Sequence, residues 1–533
     1  MCVSPPLKLS DWLVPAGFLF SICKHRCCII SDDDVNGEQS MNITKKLSLG
    51  FHKNNKRLWL TGSLLDAAGL PAGQGYLAEY SDKWLSIEAA TGSMQTNVVA
   101  DTARGAVIDL VNKRVTEAFA DFTHVDVIAA DGKLLVRGHL AEAKISQREG
   151  DFKRRVKIGE PLRKGGAFVG MGLLCQSVAR GLNAAGLKTA HRWSNEFSSA
   201  AAAVNLAGEI WGTAAPDATM VVDDIYQLDF TKVPTLDVLV MGSPCPAFSS
   251  ANVGGKKSGN GDIWNKDAGT IFQPILQLVS AANPCIVVLE NSKYMVGSIF
   301  DHILSEVMER YGYRASETIL NGQHSGDFER RERLCRVWVS KGLPELDLEN
   351  LPKVENERTV ADVLEPISMD DPRWARRKYL EAKDAETHNN HQFTKVCLTD
   401  NKTPVFTASY GKIQADTPHI AHPERPLETR IFTPSEHCNV REIDGSLKDA
   451  LLSLENGTLP EGKSSRGSST EAHRLLGNSC APRAWFAVGV RLGSWALGLA
   501  VDKETAASAP VVALKVESRD ASIAEEYQYA MAI

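Results

Sequence analysis

An apolar run at residues 236–241 ends abruptly at Gly-Ser-Pro-Cys-Pro, which occupies residues 242–246. An apolar run of strand length bounded by Gly and Pro is typical of a strand buried in a parallel sheet. The open end of such a strand is where α/β enzymes place reactive groups. Cys245 lies at this end, and its neighbouring prolines exclude a helical backbone. From this stretch alone, Cys245 is equally well explained as a nucleophile and as a small apolar residue that closes the strand.

Strand and helix patterns alternate across residues 160–341, which predicts an α/β domain there. A Gly-x-Gly sequence, Gly170 and Gly172, opens the first helix, and acidic residues follow the next two strands at Glu196 and Asp224. A lone Gly-x-Gly is a weak signal. An acidic residue after such a strand, however, is placed to bind a ribose diol or an adenine amine. The pattern therefore predicts a site for a nucleoside cofactor.

Two more reactive groups lie beside predicted buried strands. Glu290-Asn291 follows a second apolar run, and the pair Arg331-x-Arg333 precedes a third. Taken singly, Glu290 could be a helix N-cap and the Arg pair a solvated face. In this order after a Pro-Cys sequence, however, they resemble the C5-cytosine DNA methyltransferases. The matching motifs span residues 168–491.

The resemblance implies a Rossmann-like α/β sheet that binds S-adenosylmethionine and a smaller target-recognition domain, to which this chain adds a β-rich N-terminal module. It also implies an enzyme that transfers a methyl group to carbon 5 of a flipped-out cytosine in duplex DNA. The residues that match the family's cofactor-binding motifs are Phe168, Gly170, Gly172, Glu196, Phe197, Asp224, Ile225, Pro244, Ile271 and Asn478.

The same resemblance assigns four catalytic residues. Cys245 would add to carbon 6 of cytosine, because a soft thiolate can activate a ring that is too electron-poor to attack a methyl sulfonium directly. Glu290 would donate a proton to ring nitrogen 3. Arg331 and Arg333 would hold the pyrimidine oxygen and the nearby anion. The Gly-rich loop 249–261 would close over the flipped base.

Three positions depart from the family pattern. The residue after the catalytic Cys is Pro246 rather than Gln or Asn, and the residue after the Glu-Asn pair is Ser292 rather than Val. Glu329 stands before the Arg pair, where the family commonly has Gln. None of the three removes a reacting group, so methyl transfer remains the expectation, with reduced turnover as the alternative.

The N-terminal part divides in two. In residues 1–40, a basic cluster interrupts an apolar run well short of the ~20 residues that a membrane span needs. We expect a disordered extension there, or sequence upstream of a start at Met41. Residues 41–155 contain two similar stretches, each typical of a β-hairpin, which favour a small barrel-like α+β module. This module vaguely resembles the swapped-hairpin DNA-binding domains of bacterial regulators; a structural or dimerising role is the alternative.

Residues 342–445 break the α/β rhythm and correspond to the family's target-recognition region, which reads bases through the major groove. We expect residues 471–500 to complete the catalytic domain, a linker at 446–470, and a tail without chemistry at 501–533. The candidates for DNA contact are Ser249, Lys256, Lys257, Arg376 and Arg377.

Composition limits the remaining possibilities. The 533 residues carry a formal net charge of −6, so any DNA contact must come from local basic patches. The eleven cysteines include no Cys-x-x-Cys pair, which suits a reducing compartment and argues against a metal site or a disulfide framework. We expect a cytoplasmic, membrane-free protein that acts on duplex DNA, either as a monomer or as a dimer through the N-terminal module, with a cognate restriction endonuclease as a further partner. The alternatives are a transfer-RNA cytosine methyltransferase of the same fold and a catalytically silent DNA-binding regulator.

Overall fold

The computed structural model describes residues 43–91, 97–130, 132–209, 211–212, 214–245, 248, 261–385, 393–415, 417–458 and 468–499. The chain divides into two compact units, Met1–Ser146 and Gln147–Ile533. The predictions for residues 1–40 and 501–533 therefore lie outside the described residues.

The first unit contains two open sheets instead of the single small barrel that we expected. Its strands are β1 (Ile43–Ser48), β2 (Gly50–His52), β3 (Asn55–Thr61), β4 (Gly75–Ser81), β5 (Trp84–Ala89), β6 (Asn97–Val98), β7 (Ala100–Thr102), β8 (Gly105–Val111), β9 (His124–Ala130) and β10 (Lys133–Gly138). Its short helices are α1 (Ser63–Ala67) and α2 (Lys113–Ala118). One sheet has the order β1-β9-β10-β5-β4-β6 and the other β2-β3-β8-β7.

The two stretches with a hairpin pattern form the antiparallel pairs β4–β5 and β9–β10. Alternation along these strands turns one side chain in two inward, so that Leu85, Ile87, Leu134 and Val136 are fully buried. This unit therefore has a hydrophobic core of its own.

A seven-stranded sheet organises the second unit. Its strands are β11 (Leu162–Ala167), β12 (Thr189–Glu196), β13 (Ala214–Val222), β14 (Val238–Gly242), β15 (Ile286–Asn291), β16 (Tyr313–Asn321) and β17 (Glu332–Ser340), in the spatial order β13-β12-β11-β14-β15-β17-β16. The first five of these in space are parallel neighbours, whereas β17 pairs antiparallel with both β15 and β16. Because parallel strands end at the same edge, the residues that follow five strands meet there. This sheet confirms the predicted Rossmann-like α/β fold.

Helices pack on both faces of this sheet. The helices from residue 140 onward are α3 (Leu140–Ile158), α4 (Leu173–Ala184), α5 (Ser199–Ala207), α6 (Phe272–Ala282), α7 (Ile299–Arg310), α8 (Val360–Val363), α9 (Lys378–Ala385), α10 (Pro434–Val440), α11 (Gly445–Asn456), α12 (Ser469–Asn478) and α13 (Pro482–Gly498). Helices α4, α5 and α13 contribute to one core cluster, and α6 and α7 to the other. Helices α4 and α13 cross closely at Gly181, where an added Cβ would lie 2.2 Å from the Phe486 carbonyl oxygen. Within the described residues, no helix is long and apolar enough to cross a membrane.

Residues 342–445 contain a small separate sheet, and the linker predicted after them at 446–470 is wrong in its first half. Strands β18 (Ala375–Arg376), β19 (Lys395–Val396), β20 (His419–Ala421) and β21 (Glu428–Arg430) pair in the order β18-β21-β20-β19. Helix α11 occupies the start of the predicted linker at 446–470, and its Leu447, Leu451 and Leu454 are buried. Their spacing of four and three residues places them on one face of the helix. A flexible linker would not have such a buried apolar face. Residues 459–467 lie outside the described residues.

Strand β11 contains a buried cation, Lys164, of which 1% is exposed. Burial lowers the pKa of Lys164 to about 8, and the Cys175 thiol offsets a part of this effect. The Trp211 ring lies 5.5 Å from the Lys164 ammonium. A fall of this size corresponds to roughly 3 kcal/mol of unfavourable free energy for the charged form in the folded state.

We expect Lys164→Met to raise the free energy of unfolding at pH 7 by roughly 3 kcal/mol, because methionine fills a similar volume without a charge. The folded parent releases its proton at lower pH than the unfolded chain, so its own stability should rise between about pH 8 and the unfolded pKa of about 10.4. Urea denaturation across this range measures both effects. A methionine variant that unfolds at lower urea than the parent would contradict the prediction.

Candidate active site

Cys245 lies just beyond β14, at the edge where the parallel strands end. The Phe248 amide donates a hydrogen bond of 3.0 Å to the Cys245 carbonyl, which closes a turn after the thiol. The Phe248 ring is buried, with its centroid 5.2 Å from that of Phe300. On the preceding side, the Asn291 amide donates 2.7 Å to the Ser243 hydroxyl. The backbone that carries Cys245 is therefore held on both sides.

Glu290 lies inside β15, so the helix N-cap alternative for this residue is wrong. Its Oε1 atom is 3.0 Å from Nε of Arg333. A Cβ added to Gly242 would lie 3.9 Å from Glu290 Oε2 and 3.5 Å from the Phe168 carbonyl oxygen. The Glu290 carboxylate therefore lies beside the end of β14, which leads directly to Cys245.

Arg331 is 4% exposed, so it does not belong to a solvated face. Its Nη1 atom donates 3.4 Å to the Phe406 carbonyl and lies 3.8 Å from Glu329 Oε1. That carboxylate accepts a hydrogen bond of 2.8 Å from the Phe406 amide, and its other oxygen is 2.6 Å from Arg441 Nη2. Burial and the charge of Arg333 lower the pKa of Arg331 to about 10, against the opposing charge of Glu329. Arg331 thus belongs to a buried network that includes residues far along the chain.

The charges of Glu290, Arg333 and Arg331 act on the thiol of Cys245. Its burial and the nearby Glu290 carboxylate raise the pKa of Cys245 above the ordinary thiol range, and Arg333 and Arg331 oppose this shift. The structure therefore brings together the four predicted catalytic residues.

The predicted cofactor side begins at the end of β11. Phe168, Gly170 and Gly172 all have positive φ, 55°, 56° and 91°, so the chain makes a left-handed turn before α4. The Gly170 amide donates 2.7 Å to Glu196 Oε2, and the Ser198 amide donates 2.8 Å to Glu196 Oε1. A Cβ at Gly170 would have no heavy atom within 4 Å, so the turn borders open space.

The next strand ends supply the other predicted cofactor contacts. Phe197, after β12, is 75% exposed although it is aromatic. The Asp224 carboxylate accepts from the Tyr226 amide at 3.1 Å, and the Tyr226 hydroxyl is 2.7 Å from the Thr270 hydroxyl. Ile225, which stands between Asp224 and Tyr226 in the chain, is buried. This arrangement joins the residues after β13 to those before α6.

The last three predicted cofactor residues occupy different elements. Ile271 is buried and immediately precedes α6, and Pro244 is half-buried next to Cys245. Asn478 is exposed at the end of α12, and the charge of Glu196 acts on Arg474 one turn earlier in that helix.

These features suit a nucleoside cofactor. The edge combines two carboxylates, Glu196 and Asp224, an exposed aromatic ring at Phe197 and the open left-handed turn at Gly170. Carboxylates bind ribose hydroxyls or adenine amines, and an aromatic ring can pack against a base.

The predicted DNA contacts are only partly described. Ser249, Lys256 and Lys257 lie outside the described residues, as does Pro246. Arg376 is exposed, and its guanidinium pairs with Glu381 at 2.9 Å. Arg377 is half-buried and donates 3.3 Å to the carbonyl of Arg373. Neither arginine is an unpartnered cation on the surface.

The structure also reveals positioning residues that were not predicted as site residues. The sequence pattern indicated Asn291 only as the neighbour of Glu290, yet its amide donates a hydrogen bond to the Ser243 hydroxyl. Arg441 carried no signal at all, because its carboxylate partner Glu329 is distant in sequence. Glu329 had a signal, since its charge stands where the family commonly has neutral Gln.

The chain also resembles known proteins. Residues 175–450, more than half of the chain, match the model of the family described as C-5 cytosine-specific DNA methylase. The chain is similar to Type II methyltransferase M1.ScrFI of Lactococcus lactis subsp. cremoris, with 25% identity over 50% of this chain and 65% of that protein. It is also similar to Type II methyltransferase M.NlaIV of Neisseria lactamica, with 31% identity over 44% of this chain and 60% of that protein.

Among solved structures, the S. pombe Dnmt2 methyltransferase superposes with a TM-score of 0.48 and 17% identity, covering 62% of this chain and 98% of that one. The matched region of this chain spans less than two thirds of the two curated relatives named above. From the match of the family model, the chain belongs to the C-5 cytosine-specific DNA methylases.

Proposed function

We propose that the protein transfers a methyl group from S-adenosylmethionine to carbon 5 of a flipped-out cytosine in duplex DNA. The observation that carries this proposal is the grouping of Cys245, Glu290, Arg331 and Arg333 at one sheet edge, beside a second group suited to a nucleoside. Family membership supports it independently.

The chain's own residues have distinct tasks in the proposed reaction. The Cys245 thiolate adds to carbon 6 of cytosine, and Glu290 donates a proton to nitrogen 3, which places electron density on carbon 5. Carbon 5 then forms a bond to the methyl group, and the bond between that methyl group and the sulfonium sulfur of the donor would break. A base removes the proton from carbon 5, the bond from carbon 6 to sulfur breaks so that Cys245 leaves as a thiolate, and nitrogen 3 returns its proton to Glu290. Arg333 holds the Glu290 carboxylate in place, and Arg331 supplies a buried positive charge near the base.

S-adenosylmethionine supplies an electrophilic methyl group when bound. Glu196 and Asp224 would bind its polar nucleoside groups, and Phe197 and Ile225 would contact its base. Asn478, at the end of α12, would also contact the donor. Arg474 in the same helix lies near enough to Glu196 for that carboxylate to raise its pKa. These residues would bind and orient the donor.

Covalent trapping tests the proposal directly. A duplex that contains 5-fluorocytosine cannot lose a proton from carbon 5, so the adduct with Cys245 should persist after methyl transfer. We expect a protein–DNA band that survives denaturing electrophoresis and requires S-adenosylmethionine. A parent enzyme that methylates DNA without forming this band would exclude the adduct.

The rival substrate is transfer RNA. Parallel assays with tritium-labelled S-adenosylmethionine, a genomic duplex DNA and a transfer-RNA pool separate the two. The proposal expects label in DNA at a rate at least tenfold above that in RNA. Absence of label in both would favour the catalytically silent regulator.

The raised pKa of Cys245 predicts a particular pH profile. A nucleophile that is protonated at neutral pH reacts in proportion to its thiolate fraction. We expect kcat/KM to rise about tenfold per pH unit between pH 6 and 8, without a plateau below about 8.5. Iodoacetamide labelling of Cys245, corrected with a Cys245→Ser protein, should follow the same curve. In Glu290→Gln the labelling curve should move to lower pH, because the carboxylate that opposes the thiolate is gone; a curve that moves to higher pH would contradict this assignment.

A further inference from the structure

The first unit contains two copies of one arrangement. The first copy is β1-β2-β3-α1-β4-β5 and the second is β6-β7-β8-α2-β9-β10. The copies pair with each other through β3 and β8 and through β5 and β10. They also exchange a strand: β1 of the first copy pairs with β9, and β6 of the second pairs with β4. Trp59 and Asp109 occupy equivalent positions and pair directly with each other, so the pairing pattern has a pseudo-twofold centre there.

The two copies differ sharply in charge. Residues 43–61 contain no Asp or Glu, and their basic residues are Lys45, Lys46, Lys53, Lys56 and Arg57. The equivalent residues 93–111 contain the charged residues Asp101, Arg104 and Asp109. Only the first copy therefore has the strongly positive segment that attracts a polyanion.

Two of the five cations have structural roles. The Lys56 ammonium donates to the carbonyls of Phe119 and Phe122, at 2.6 and 2.7 Å. The Arg57 guanidinium forms two hydrogen bonds of 2.8 Å with Asp109. These contacts leave neither side chain free to neutralise a ligand.

The other three cations, Lys45, Lys46 and Lys53, are exposed, and none forms an ion pair within the described part of the chain. Asp126 lies opposite Lys46 on β9, but its carboxylate accepts 2.7 Å from His139 Nδ1 and also accepts from a backbone amide. These three cations are therefore available to an external anion.

The β2–β3 hairpin has a shape that can enter a groove of a nucleic-acid duplex. Lys53 and Asn54 have φ angles of 46° and 67° and form the tight turn between β2 and β3, and β2 is an edge strand of its sheet. Residues 50–54 are all exposed, and Phe51 is 72% exposed. The major groove of DNA admits a two-stranded β-ribbon, with lysines on its rims near the phosphates.

We propose that the β2–β3 hairpin, together with Lys45 and Lys46, is a second DNA contact that binds the phosphate backbone. The equivalent β7–β8 hairpin does not bind, because Asp101 and Ala103 replace Phe51 and Lys53. The choice of DNA among polyanions rests on the proposed function. The contact itself is independent of methyl transfer.

A cytosine-free probe separates the two proposals. We would measure binding of the full chain to a labelled 30-base-pair poly(dA)·poly(dT) duplex, by fluorescence anisotropy at several salt concentrations. The test variant is Lys45→Gln, Lys46→Gln, Lys53→Gln, in which every change is at an exposed position. The matched control is Arg104→Gln on the equivalent hairpin tip. A thermal melt of each protein verifies its fold.

For the triple variant we expect at least a tenfold loss of affinity at 0.1 M salt, and a slope of log K against log salt that is shallower by about 2 to 3. The control should change less than twofold. Unchanged binding by the triple variant, or an equal loss in Arg104→Gln, would overturn the proposal. A loss confined to an RNA duplex, with DNA binding intact, would assign the surface to RNA and overturn it too. Methyl transfer failing while these binding results hold would remove only the proposed function.

Discussion

Replacing Cys245 with serine should reduce methyl transfer by at least a thousandfold. The serine hydroxyl is not ionised at neutral pH and is a poor nucleophile toward carbon 6 of cytosine. Without the covalent bond at carbon 6, carbon 5 is not activated for methyl transfer. Single-turnover transfer of tritium to duplex DNA measures the effect. Trapping by a 5-fluorocytosine duplex should disappear in the same variant.

The chain offers a matched control in Cys397, an exposed free cysteine at the start of a turn in residues 397–400. Cys397→Ser should retain the activity of the parent within about twofold. Because Cys245 is not part of either hydrophobic cluster of the seven-stranded sheet, Cys245→Ser should also keep the parent's unfolding midpoint. A Cys245→Ser protein that methylates DNA as fast as the parent would refute the covalent mechanism.

The second large effect is on stability, at the buried pair of Glu329 and Arg441. Both side chains are almost fully buried, and the carboxylate is 2.6 Å from the guanidinium. Removing one charge of a buried pair leaves the other uncompensated, which costs about 3 to 5 kcal/mol. We expect this loss in the free energy of unfolding for Glu329→Gln, even though glutamine is the common residue of the family at this position.

Arg441→Gln should be similarly destabilising, since it also removes the 2.7 Å hydrogen bond from Arg441 to the Cys480 carbonyl. The double variant removes both charges of this pair and leaves Arg331 as the remaining charge beside position 329, so we expect its loss to be smaller than the sum of the single losses by at least about 2 kcal/mol. Urea denaturation of the four proteins gives this coupling energy.

An exposed pair provides the comparison. Asp217 is 2.8 Å from Arg192, but its side chain is 66% exposed. Asp217→Asn should therefore change the free energy of unfolding by less than about 1 kcal/mol. Additive losses at Glu329 and Arg441 would show that the two residues do not act as a pair.

Sequence patterns were sufficient for the parts of the site that depend on local structure. An apolar run of strand length and the Gly or Pro that ends it are neighbours in the chain, so the end of β14 and the place of Cys245 followed from them. The same reasoning placed Glu290 at the end of β15 and Glu196 at the end of β12. It failed at the predicted linker: residues 461–470 are rich in Gly and Ser, but Leu447, Leu451 and Leu454 before them recur at helical spacing and form the buried face of α11.

Local patterns in the sequence predict the candidate reacting groups and the edge of the sheet on which they lie. The distant groups that contact these residues are visible only in the folded chain. Glu329 contacts Arg441, and strand β1 pairs with β9 rather than with a strand of its own copy. Periodicity and turn residues act over a few neighbouring positions, whereas the partner of a buried charge or of an edge strand depends on the packing of the whole unit.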